Sequence, residues 1–139
     1  MLEQRTSAQN TYLLVNLVFC IFLVIIFLYS LVFRANNHPI PALLTDLTGE
    51  IPPSKGLSSS FSEIVRGNFE LANEYNPYGL RVFSFFVAQL LMGIFFSILT
   101  FLKPKKISIP LIADITISIV IFIFCFAPLI TYTLRTLFY

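Results

Sequence analysis

Three long stretches of this chain carry almost no polar residue, and they set the reading of everything between them. The first, Tyr12 to Phe33, runs for 22 residues without a charge. At about 1.5 Å per residue a helix of that length reaches roughly 33 Å, enough to cross a hydrocarbon core of about 30 Å. The second stretch, 80–102, is broken only by Arg81 in its first turn. The third, 107–133, holds Asp114 toward one end and Pro128 toward the other. Lipid offers the backbone no hydrogen-bond partner, so each stretch is expected to be an α-helix. The pattern predicts an all-α membrane protein with three transmembrane helices.

Residues 34–79 form a long connection between the first two spans. Its first part is punctuated by Pro39, Pro41, Gly49, Pro52, Pro53 and Gly56 and reads as irregular. Within it, Ile40 to Leu47 is a short apolar stretch suited to the membrane surface or to a neighbour. From Ser58 the pattern turns helical. Ser60 and Glu63 have capping-box spacing, and Phe61, Ile64 and Val65 share one apolar face. Gly67 suits a left-handed stop, Asn68 suits the cap of a second helix, and Asn76-Pro77 breaks the chain before the next span. Two short interfacial helices are expected, at about 58–66 and 69–75.

Composition agrees with a membrane setting. Charged residues make up 12% of the chain and hydrophobic ones 57%, with 16 Phe and a mean hydropathy of +0.85. A soluble domain carries about 25% charged residues. One of 139 residues has too much surface for its volume to hide this apolar content. A soluble enzyme and a disordered chain are disfavoured. So is a nucleic-acid partner, because a net charge of +2 leaves no phosphate-binding footprint.

Charge also orients the spans. The connection 103–106 contains Lys103, Lys105 and Lys106, whereas 34–79 sets Arg34, Lys55 and Arg66 against Asp46, Glu50, Glu63, Glu70 and Glu74. Lys and Arg favour cytoplasmic connections. The basic hairpin and residues 1–11 are therefore expected inside, and the long loop and residues 134–139 outside. Tyr75, Tyr78 and Tyr132 then fall at the outer interface and Tyr12 at the inner one. The first span is expected to be retained: it is longer than a signal-peptide core of about 7–15 residues, and no small-x-small cleavage site follows it. Cys20 and Cys125 sit at depths differing by roughly 15 Å. That is too far for a disulfide, which needs Cα atoms within about 7 Å, so both read as thiols packed in the spans.

The run Pro52-Pro53-Ser54-Lys55-Gly56-Leu57, then Arg66-Gly67-Asn68, then Tyr75-Asn76-Pro77 resembles a pattern in the small bacterial membrane proteins of domain-of-unknown-function family 2752. The resemblance covers 52 to about 90 and the order of the surrounding spans. It implies a bacterial inner-membrane protein. The family's Cys-x-x-Cys pair falls on Pro52 and Lys55, which can neither cycle as thiols nor bind a metal. The family supplies no activity to carry over.

Candidate chemistry is sparse. Asp114 is the one acidic residue well inside a span, where an ionisable group is costly. Asn16 and Ser97 fall at similar depth, so Asn16, Ser97 and Asp114 form a candidate intramembrane polar cluster. It has three readings: an ion or proton site, plain interhelical hydrogen bonding, or, for Asp114, a place in the first turn of a shorter helix. Gln89 is expected to bond to another helix or a partner, and Gly93 to permit close approach. Glu74 and Arg81 form a candidate interfacial ion pair, with snorkelling of Arg81 to lipid phosphate as the alternative. Phe61, Ile64, Val65 and Phe69 are candidate partner-docking residues, and Phe83, Phe85, Phe86, Phe95 and Phe96 suit packing on partner helices or lipid. His38 stands alone, so no metal site, cofactor or catalytic set is expected. The expected function is a non-catalytic accessory subunit of a larger membrane complex, contacting lipid and other subunits. A homo-oligomeric transport component using Asp114 is the alternative.

Overall fold

The computed structural model describes residues 7–35, 37, 54–102 and 108–138. Five helices run in the order α1 (Ser7–Val32), α2 (Leu57–Val65), α3 (Phe69–Tyr75), α4 (Gly79–Leu102) and α5 (Ser108–Phe138), with no strand among the described residues. Helices α1, α4 and α5 are each long and apolar enough to cross a membrane. The two short helices lie between the first and second spans, as the loop pattern predicts. The stretch 40–47, His38 and the basic hairpin 103–106 lie outside the described residues.

The spans pack by what they lack. On α1 the buried residues are Gln9, Asn16, Leu23 and Ser30, one every seven positions. On α4 they are Gly79, Val82, Gln89, Gly93, Phe96 and Thr100. These too fall on heptad steps, 82–89–96 and 79–93–100. A seven-residue repeat is the seam of helices crossing at a shallow left-handed angle. In water such a seam is made of large apolar side chains. Here, apart from Leu23, Val82 and Phe96, it is small or polar, and most large apolar residues, Leu14, Phe22, Leu91, Phe95 and Phe124 among them, are exposed. Lipid accepts apolar surface as readily as a protein core does. The seam is therefore where polar groups hide and small groups let backbones close up. A Cβ on Gly93 would stand 2.9 Å from the Cys20 sulfur. Cys125 is buried, Cys20 half-buried, and both are free thiols.

Helix α4 is the middle span and packs against both α1 and α5. Phe85 joins α4 to α5 through edge-on contacts with Phe122 and Phe126, at ring distances of 5.8 and 5.2 Å. Helix α5 runs through Pro128 to Phe138, so this proline does not end it and 134–138 continue the helix. Pro110 lies in its first turn, where a missing N–H is no loss.

Among the described residues the apolar cluster lies at one end, the loop end, where α2 wedges between α1 and α4. Phe61, Ile64, Ala72 and Val82 are buried together, with Ile26, Leu57, Phe83, Phe86 and Phe126 packed around them. Phe61 meets the rings of Phe83 and Phe86 edge-on at 5.3 and 5.8 Å. Of the Phe residues expected on an outer face, Phe95 alone is exposed. Phe83, Phe85 and Phe86 are half-buried inside the bundle and Phe96 is buried.

Side chains fasten this wedge. Helix α1 ends at the loop end with carbonyls that have no helical partner. The Arg66 guanidinium supplies one: it donates to the carbonyls of Ser30 and Leu31 at 3.2 and 2.8 Å, and also to that of Ser62. A cation at a helix C-terminus gains from the helix dipole as well. On the far side, Asn76 Nδ2 donates to the Lys55 carbonyl at 2.9 Å, while its Oδ1 accepts the Tyr78 N–H at 2.9 Å.

The capping box is not formed. Helix α2 begins at Leu57 behind Gly56, which puts Ser60 inside the helix, fully buried against Gly79. Glu63 instead accepts a bond from Asn68 Nδ2 at 2.8 Å, so the Asn68 side chain does not cap α3.

Gly56 and Gly67 both adopt left-handed backbone, with φ of 78° and 81°. A side chain there costs about 1–2 kcal/mol. A Cβ on Gly56 would also collide with the Tyr75 carbonyl, whereas Gly67 faces open space. Gly67→Ala should therefore lower stability by about 1 kcal/mol, the backbone cost alone. Gly56→Ala should cost clearly more. Unfolding of the two purified variants in detergent micelles measures the difference, and equal losses would show that the Gly56–Tyr75 approach is not structural.

Candidate functional site

Two polar pairs cross the bundle in the half away from the loop end, and a third lies deeper in the seam. Asn16 Nδ2 on α1 donates to the Ser97 hydroxyl on α4 at 3.3 Å. The Tyr12 hydroxyl donates to Asp114 Oδ2 on α5 at 2.7 Å. Tyr12 and Asn16 are four residues apart, hence neighbours on one face of α1. The Ser118 hydroxyl on α5 donates to Gln89 Oε1 on α4 at 3.2 Å. Each bond joins two spans, so together they tie all three.

The expected cluster of Asn16, Ser97 and Asp114 thus exists with a different wiring. Asn16 and Ser97 bond to each other. Asp114 is held by Tyr12, a residue the sequence places in an interfacial aromatic belt. Asp114 is the seventh residue of α5, which begins at Ser108 with no acidic residue in its first turn. That removes the reading in which Asp114 sits at a helix start. Two readings remain: a carboxyl held to bind an ion or proton, and a carboxyl that holds spans together. Gln89 finds its partner inside the bundle, on α5. The spacing of Tyr12 and Asn16 on α1 was the available signal for Tyr12. For Ser118 no comparable signal existed, because hydroxyl residues are scattered through this span.

Thr100 adds a further polar group to this half of the seam. It is 1% exposed, and its hydroxyl has no hydrogen-bond partner. Among the described residues, no three of His, Cys, Asp and Glu come close enough to hold a metal ion.

The docking candidates divide. Phe61 is 4% exposed and Ile64 7%, both inside the loop-end core. The structure corrects their assignment: the face they share is the one α2 turns onto α1 and α4, so both are taken up by packing within the chain. Val65 is half-buried, while Phe69 and Leu71 on α3 are exposed. Glu74 and Arg81 are both exposed, on either side of the Asn76-Pro77 turn, and no ion pair joins them. In water two such charges gain little by holding long side chains together.

No known family model, no curated protein and no solved structure matches this chain. Gly56 packs on Tyr75, Asn76 bonds across to Lys55, and Gly67 turns α2 into α3.

A hydrogen bond between transmembrane helices is worth about 0.6–2 kcal/mol. Tyr12→Phe and Asp114→Leu should each lower stability by an amount in this range. Their double variant should lose less than the sum, because both remove the same bond. A thermodynamic cycle from unfolding in mixed micelles checks this, and strict additivity would mean that the two side chains do not interact in the membrane.

Proposed function

We propose that this chain is a non-catalytic, multi-pass subunit of a larger membrane complex. One observation carries the reading. Helix α3 is held by the Asn68–Glu63 and Asn76–Lys55 bonds and by Ala72 in the loop-end core, yet it leaves Phe69 56% and Leu71 40% exposed. An apolar pair held on a preorganised platform suits a protein partner, because little ordering entropy remains to be lost on binding. The thin bundle supports the same reading: only 11, 22 and 6% of the membrane windows of α1, α4 and α5 are buried within the chain. Their outer faces are left to lipid and to neighbouring helices. The basic residues at 103–106 favour a cytoplasmic hairpin, and hence a platform on the outer face of a bacterial inner membrane.

Extraction from its own membrane in a mild detergent should recover the chain with a stoichiometric set of other subunits. Phe69→Ser/Leu71→Ser should lower that recovery several-fold while leaving thermal stability unchanged. A chain purified alone, or recovery unaffected by the double substitution, would overturn the docking platform.

A second reading rests on Asp114. A carboxyl fixed by Tyr12 within the spans, beside the Asn16–Ser97 bond, is an arrangement that could take up a proton or small cation. The chain would then act as a transport component assembled from its own copies. Asp114→Asn should abolish flux in reconstituted vesicles if this is so. Flux equal to that of the unaltered chain would eliminate the reading.

A further inference from the structure

A groove of about 480 Å³ runs down one side of α4 beneath the platform. Leu80, Ser84, Val87, Ala88 and Leu91 form its wall, spaced along one face of the helix, and Ile64 and Phe69 close it toward the loop end. Its Ser84 hydroxyl is already committed to the Leu80 carbonyl, at 2.8 Å. The wall thus has no free polar group from Leu80 down to Leu91. Because α4 is a span, whatever fills this groove comes from the hydrocarbon layer.

The top of the groove is different. Arg81 stands on the same side of α4, three residues before Ser84 and seven before Ala88. It is exposed and makes no ion pair with Glu70 or Glu74, the acidic residues of α3. Side chains on a helix lean toward its N-terminus, which for α4 is the loop end, so this guanidinium reaches toward the level of lipid headgroups. A planar guanidinium matches the oxygens of a phosphate.

We propose that this groove is a binding site for one phospholipid of the leaflet at the loop end, its acyl chain along Ser84, Val87, Ala88 and Leu91 and its phosphate on Arg81. The inference goes beyond the subunit reading and needs no partner protein. A lipid seated here would lie against both the span and the platform, and so would brace the junction that holds α3 in place.

The test uses the full purified chain, reconstituted in vesicles of phosphatidylglycerol with an equal amount of diacylglycerol. Mass spectrometry of the intact protein after gentle release then reads the lipid retained. One phosphatidylglycerol per chain is expected, retained at least tenfold over diacylglycerol, which has the same chains and no phosphate. Arg81→Gln alters an exposed side chain and should cut retention at least fivefold, whereas Lys55→Gln, away from the groove, should not. Ala88→Phe should block the groove and abolish retention. No retained lipid, equal retention of the two lipids, or undiminished retention by Arg81→Gln would each overturn the proposal.

Discussion

Inside a hydrocarbon layer a polar group has no water to fall back on, and this requirement orders the whole molecule. It forces the three spans to be helices, since only then are backbone groups paired within each segment. It also decides which side of each helix turns inward. The apolar positions can face lipid at no cost, so the inward positions are chosen by polarity and size. Gln9, Asn16 and Ser30 on α1, with Gln89 and Thr100 on α4, line the seam, and Gly79 and Gly93 let the helices close. The outcome largely inverts a soluble bundle: apart from Leu23, Val82 and Phe96, burial in the seam marks polar and small residues, and most large apolar ones are exposed.

The same requirement explains why, among the described residues, a conventional core lies at the loop end. There α2, which belongs to the connection between spans, brings an apolar face that would otherwise meet water, and the hydrophobic effect operates. Helix α2 can gain by placing Phe61 and Ile64 against Phe83, Phe86 and Val82. Position in the membrane thus divides the molecule into a polar-seamed half and an apolar-cored half. Arg66 joins them, because its guanidinium satisfies the last carbonyls of a span from a helix that belongs to the loop.

Much of this was legible in the sequence, for identifiable reasons. Uninterrupted apolar runs give the spans, and α4 begins within one residue of the expected start. Helix α1 begins earlier than its apolar run, because Ser7 to Thr11 are polar and hydropathy is blind to them. Gly67 and Asn76-Pro77 act as their backbone chemistry requires. The Ser60–Glu63 capping box misleads because Gly56, in left-handed backbone, starts α2 three residues before it. Phe61 and Ile64 mislead for another reason. An amphipathic helix has one apolar face, and sequence cannot tell whether the chain itself or a partner covers it. The Asn16–Ser97 pair could be placed by depth alone. The Tyr12–Asp114 bond could not, since it depends on the rotation of α1 and α5 about their own axes.

The platform follows from this division. A short helix such as α3 is marginal alone in water. It persists because Ala72 is buried in the core, Asn68 bonds back to Glu63, and Asn76 ties its end across to Lys55. Three glycines make these contacts possible: Gly56 under the Tyr75 carbonyl, Gly67 at the turn, and Gly79 against Ser60. Gly79 belongs to the seam as well, and the seam residue Ser30 gives its carbonyl to Arg66. The two halves share Val82, Gly79 and Ser30, but they are stabilised by different forces. Arg66, anchored in the loop and bonded to the span, acts with the Phe61 rings and the Gly79–Ser60 approach to transmit position from the membrane to the surface that α3 presents.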